Sequence, residues 1–93
     1  MRKINLKVRS DFDVLSGRDL GTSVYNESGL DSISVDEEVT LIFPDTVQSL
    51  SASFVQGLLA NVFALKGKSK TKNDIHVETK NKELEHEFFN NFY

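Results

Sequence analysis

VTLIFPDTVQSLSASFVQGLLANVFAL, residues 39–65, contains a strand, a serine-rich turn and a helix in succession, and this order decides the fold. The β-branched run 39–43 predicts a strand that ends at Pro44, because the proline ring removes an amide donor. Its almost continuous apolar character predicts burial on both faces, with helices above and below. Over 52–65, apolar residues recur at intervals of four, which predicts a helix with one broad buried face.

The flanking segments predict further strands and an α/β fold. Apolar and polar residues alternate over 2–9, the period of a half-buried strand, and a second short strand is predicted over 74–79. The segment 26–38 is rich in Ser and Asp, so we expect an exposed loop there. Strands that alternate with helices predict an α/β domain in which about three helices pack on a central β-sheet.

Two more helices are predicted, one before and one after the central unit. Ser16 is placed to cap the first, in which Gly17 and Gly21 each cost about 1 kcal/mol relative to alanine. The second occupies 81–93 and carries four aromatic side chains, Phe88, Phe89, Phe92 and Tyr93. These aromatics favour a core position, and the alternative is an interface with a second subunit in a homo-oligomer.

The composition is that of a soluble globular protein without cysteine chemistry. Of the 93 residues, 39% are hydrophobic and 27% charged, which suits one small domain spanning 1–93. The lack of cysteine excludes disulfides and thiolate ligands and fits a reducing cytoplasm. No apolar run approaches the ~20 residues of a membrane span, and the start of the chain lacks a signal-peptide pattern. We therefore expect a cytoplasmic protein without membrane contact.

Three serines in the turn before the central helix are the first candidate site. Ser51 directly precedes the helix, so its hydroxyl is expected to cap it and contribute about 1 kcal/mol. Ser49 and Ser53 lie in the turn and in the first helical turn. The functional alternative is phosphorylation of one of these serines, because a phosphate near a helix N-terminus meets unpaired amides and the positive end of the dipole.

Neither catalysis nor metal binding is predicted. A catalytic serine needs a base, and only His76, within a strand, and His86, a solvated helix residue, are available. The two histidines lack ligand spacing, so we expect no metal and no cofactor. The triplet at Gly67 is not a phosphate-binding loop, because it follows a helix instead of preceding one.

A lysine-rich segment, 66–73, is the second candidate site. Gly67 is well placed to end the central helix, and the residues after it read as a solvated loop. The alternative is contact with an anionic partner, a nucleic acid or an acidic protein, through Lys66, Lys68, Lys70 and Lys72. The net charge of -3 and the absence of interleaved aromatics disfavour a nucleic-acid binder.

The succession of strand 39–47, serine turn and apolar helix resembles STAS domains, the family of anti-sigma factor antagonists and sulfate-transporter regulatory domains. It is more similar still to the bacterial STAS-like family of unknown function, in which a small-residue turn and a Phe follow the strand. Ser16-Gly-Arg-Asp19 is similar to that family's first helix start, and Asn81-Lys-Glu-Leu84 to its closing segment. Most of the chain is covered.

The resemblance implies a non-catalytic regulatory domain that docks on a protein partner, with a histidine-kinase-like ATPase as one candidate. A gapless placement puts Ser53 at the serine that anti-sigma antagonists phosphorylate, while Ser51, Ala52 and Phe54 replace Asp, Ser and Gly. We therefore expect docking through 46–54. The rival expectation is a small nucleic-acid-associated regulator that uses the lysines of 66–72.

Overall fold

The computed structural model describes residues 2–9 and 12–90, and these form an α/β domain in which short parallel strands alternate with helices. The elements are β1 (Arg2–Asn5), β2 (Val14–Leu15), α1 (Arg18–Glu27), a 3₁₀ turn (Leu30–Ser32), β3 (Val39–Ile42), β4 (Ser49–Leu50), α2 (Ala52–Lys66), α3 (Lys68–Asp74), β5 (Ile75–Glu78) and α4 (Lys82–Asn90).

The sheet is parallel, with the predicted central strand in the middle. Strands β1, β3 and β5 pair in that order, with Ile4 opposite Leu41, and β2 and β4 form a second parallel pair. One face is apolar, since Leu41 is fully buried and Ile4 almost so. On the other face Lys3 and Glu78 pair at 3.3 Å across β3 while their side chains stay 62% and 53% exposed. Thr40 of β3 is nevertheless buried on this face, so the predicted burial on both faces holds at Thr40, whereas the flanking strands expose Lys3 and Glu78.

Helix α2 is the centre of the core. It runs from Ala52 to Lys66, one residue beyond the predicted end, and Gly67 follows it with a φ of 82°, a conformation that glycine adopts at helix ends. The buried face of α2 comprises Phe54, Val55, Leu58, Leu59 and Val62. The intervals of four in the sequence predicted this face correctly.

Two segments predicted as loops are structured. Within 26–38, α1 continues to Glu27, and a 3₁₀ turn follows in which Leu30 is fully buried. The segment after Gly67 forms helix α3, where the Thr71 hydroxyl is buried and donates to the Gly67 carbonyl at 2.7 Å. The described residues thus contain four α-helices, not about three.

Helix α4 packs against the end of β3 and against β4. Its Phe88 is fully buried and meets Phe43 edge to face at 5.9 Å, and the Glu87 carboxylate accepts from the Leu50 amide at 3.1 Å. Phe88 therefore belongs to the core of its own chain, while Phe92 and Tyr93 lie outside the described residues. None of the helices in 2–9 and 12–90 has the length and apolar character needed to cross a membrane.

Candidate functional site

The predicted cap of α2 is present. The Ser51 hydroxyl accepts a hydrogen bond from the Phe54 amide at 3.2 Å, and Ser51 itself has the extended backbone of an N-cap residue. This contact satisfies one of the amides that the first helical turn leaves unpaired. The prediction that Ser51 caps the central helix is therefore confirmed.

Ser53 links the starts of two helices. Its hydroxyl oxygen lies 3.0 Å from the Ser51 hydroxyl and accepts a hydrogen bond from the Gly17 amide at 3.2 Å. Gly17 is the N-cap residue of α1 and has no side chain with which to cap the helix. The prediction that Ser16 caps α1 is therefore wrong: Gly17 holds the cap position, and a hydroxyl from α2 reaches its amide.

Two glycines inside the helices allow this contact. A Cβ atom on Gly21 would lie 2.6 Å from the Leu58 nitrogen, and one on Gly57 would lie 2.9 Å from the Arg18 carbonyl carbon. The backbones of α1 and α2 are therefore in direct contact, which only glycine permits at these positions. The packing of α1 against α2 therefore requires Gly21. The free energy gained from this packing outweighs the helix-propensity cost of glycine that the sequence predicts.

The helix starts create a positive local potential at an exposed position. The backbone dipoles place partial positive charge at both N-termini, and the Arg18 guanidinium donates to the Gln56 side-chain oxygen at 3.1 Å on the same side. Asp19 lies in the first turn of α1 and partly offsets this charge. Ser53 is exposed, so its hydroxyl is accessible to a partner or a modifying enzyme.

The other members of the predicted serine site differ in accessibility. Ser49 lies in β4, is partly buried, and donates its amide to the Asp13 carbonyl at 3.3 Å. Phe54 is fully buried, so it supports the helix from within and cannot itself contact a partner, contrary to the docking role predicted for it. The exposed part of the site therefore centres on Ser53.

The four predicted lysines do not form one exposed group. The Lys66 side chain is fully buried, and its ammonium donates to the carbonyls of Val35 and Glu37, at 2.8 Å each, and to the Asp74 carboxylate at 3.1 Å. Lys66 therefore has a structural role and cannot contact an anionic partner. The sequence does not show that the end of α2 is buried, so the burial of Lys66 becomes apparent only in the folded structure.

The remaining lysines belong to helix α3. Lys70 contacts the Asp36 and Asp74 carboxylates, both at 3.3 Å, and the hydrogen bonds that its ammonium donates to Asp36 and then to Asp74 raise the pKa of Lys70. Lys68 and Lys72 are exposed, and the Lys68 ammonium lies 5.9 Å from the centre of the Phe63 ring. The surface of α3 is thus a mixture of charges rather than a cationic patch.

The histidines lie apart from the serine site. His76 is on β5 and pairs with Glu38 at 3.1 Å, and His86 is exposed on α4, as predicted. Across residues 2–9 and 12–90, no three His, Asp or Glu side chains converge as metal ligands would.

The sequence missed Gly17, Arg18 and Gln56 as neighbours of Ser53. The one available signal was the presence of a glycine inside each of two predicted helices, which marks a close backbone crossing.

Comparisons of the chain with protein-family models, with curated proteins and with solved structures found no match.

Proposed function

We propose that this protein is a non-catalytic regulatory domain that docks on a protein partner through residues 46–54, as the STAS-like resemblance implies. The supporting observation is the exposed Ser53 hydroxyl at the meeting point of two helix N-termini. Glycine contacts hold this point rigidly, so a partner meets a preformed surface and loses little conformational entropy from the domain on binding.

The charge of Ser53 controls docking in this proposal. A phosphate on the Ser53 oxygen keeps acceptor oxygens for the Gly17 amide and adds about two negative charges near two positive helix ends. The helices therefore stay in place while the surface changes sign. A histidine-kinase-like ATPase is the candidate partner, and this identity rests on the resemblance alone.

The geometry gives no comparable support to nucleic-acid binding. Such binding needs several cationic side chains directed at phosphates. Lys66 is buried and Lys70 is shared between two carboxylates, so at least two of the four predicted lysines are not directed at an external phosphate. We therefore do not propose the lysine segment as a nucleic-acid site.

Paired capture from a lysate of the native host tests the proposal, with wild type, Ser53→Asp and Ser23→Asp as baits. Ser23 is exposed on α1, away from its N-terminus, so its variant carries the same charge change at a distance from the helix starts. We expect a partner that wild type and Ser23→Asp retain and Ser53→Asp loses, or the reverse preference. An identical set of partners on all three baits would refute control by Ser53.

A further inference from the structure

Strand β1 forms one edge of the three-stranded sheet, and its hydrogen-bonding groups alternate between the two sides of the strand. Arg2 and Leu6 direct their amides inward, to the carbonyls of Glu38 at 3.3 Å and Ile42 at 3.0 Å. Because successive residues of a strand face opposite edges, Lys3 and Asn5 direct their N–H and C=O groups outward.

The outer edge is open along its central part. The Lys7 amide is already bound by the Ser28 hydroxyl at 2.9 Å, which closes the far end. Lys3 and Asn5 are exposed, and within the described residues β1 has a neighbouring strand on its β3 side alone. Two residues with both backbone groups available are enough to hold the centre of an added strand.

Exposed cationic side chains lie on the edge strand and directly after it. Lys3 is in β1, and Lys7 and Arg9 follow in the segment after the strand ends at Asn5; all three are exposed. Lys3 meets Glu78 at 3.3 Å, but both side chains are more than half exposed. Such a surface pair contributes little and is readily exchanged for a new partner.

We propose that the outer edge of β1 binds an extended acidic segment of a protein partner by strand addition. The backbone of Lys3 and Asn5 supplies the hydrogen bonds, and the exposed charges of Lys3, Lys7 and Arg9 favour Asp and Glu in the incoming segment. This surface lies on a different strand from the serine site, so it provides a second contact independent of the proposed function.

The same charges exclude a second copy of this chain as the occupant of the edge. Pairing β1 with its own equivalent would place Lys3 and Lys7 opposite other cations, and like charges directly opposite one another destabilise a strand pair. Lysines on edge strands commonly prevent such self-pairing. They leave an acidic strand as the favourable complement.

The probe is an acetylated and amidated peptide of alternating Glu and Val, with the corresponding Lys and Val peptide as control. Amide hydrogen exchange, resolved by NMR, locates binding, and titration at several salt concentrations measures affinity. We expect the acidic peptide to slow exchange at Lys3 and Asn5, with binding that weakens as salt rises. No binding, or protection elsewhere on the surface, would overturn the proposal.

Two variants separate charge from backbone pairing. In the double variant Lys3→Glu and Lys7→Glu, both at exposed positions, we expect acidic-peptide affinity to fall about 25-fold, as two charge pairs each contribute about fivefold. The lysine peptide should bind this variant instead. Asn5→Pro removes one outward N–H, which an edge strand tolerates, and should weaken both peptides. Unchanged affinity in the folded double variant would overturn the proposal, as would a wild-type dimer that dissociates on Lys3→Glu.

Discussion

The contact between α1 and α2 predicts that Gly57→Ala destabilises the domain, although alanine is the better helix former. On propensity alone the change would stabilise α2 by about 1 kcal/mol. The added Cβ, however, would lie 2.9 Å from the Arg18 carbonyl carbon and closer still to its oxygen. Backbone atoms cannot rotate away as a side chain can, so the helices must separate.

The magnitude follows from three contributions. Overpacking of a tight contact costs about 1–3 kcal/mol, and separation of the helices weakens the hydrogen bond from the Gly17 amide to the Ser53 hydroxyl, which contributes about 1 kcal/mol. The propensity gain of about 1 kcal/mol offsets part of this. We expect a net loss of about 1–3 kcal/mol in the free energy of unfolding.

Urea denaturation followed by circular dichroism measures this loss, with Ala60→Gly as the matched control. Ala60 is exposed on the same helix, so its replacement reports propensity alone and should cost about 1 kcal/mol. Amide exchange at Gly17 should also accelerate in Gly57→Ala. If Gly57→Ala instead stabilises the protein by about 1 kcal/mol, the helices do not touch at this point and the argument for a rigid serine site fails.

Three further perturbations test the contacts around the site. Lys66→Met leaves the Val35 and Glu37 carbonyls without their donor while Asp74 keeps Lys70, and we expect a loss of about 2 kcal/mol in urea unfolding, whereas an unchanged midpoint would show that Lys66 is solvated. Hydrogen bonds from Lys66 and then Lys70 lower the pKa of Asp74 below its ordinary value of 3.8, so its stabilising contribution is present above that pH and is lost as the pH falls through the folded pKa. Asp74→Asn should flatten that acid-side loss in stability measured against pH, and an unaltered profile would contradict the assignment. Ser51→Ala removes the cap of α2 and should cost about 1 kcal/mol, while a Ser51→Asp control that caps equally well should cost little.

Elements decided by local sequence were predictable, as α2 illustrates. Its four-residue intervals, its Ser51 cap and its Gly67 terminus all lie within one contiguous segment, and the structure confirms each. Strand β3 is also located correctly, and its apolar run predicts the burial on both faces that Leu41 and Thr40 show. The ion pair of Lys3 and Glu78 from the flanking strands crosses β3 on its second face, and no pattern within β3 carries that information.

Features decided by distant residues were missed. Helix α3 has no apolar stripe, and it is stabilised in part by Asp36, which contacts Lys70 from the segment before β3. Lys66 has the sequence environment of a solvated lysine, yet the fold surrounds it with two carbonyls and a carboxylate. The acceptor for the Gly17 amide at the start of α1 is Ser53, a residue on another helix. Each of these contacts joins residues that are far apart in the sequence, so no local pattern contains it.

The two roles of Ser53 can be separated because they depend on different properties of the side chain. The hydrogen bond from the Gly17 amide needs only an acceptor oxygen, which a carboxylate also provides. Ser53→Asp should therefore retain stability while adding charge, whereas Ser53→Ala should lose about 1 kcal/mol without adding charge. If binding of a captured partner follows charge, only the aspartate variant changes its affinity. If it follows the position of the helices, the alanine variant has the larger effect, and the serine is then a structural link between α1 and α2 rather than a switch.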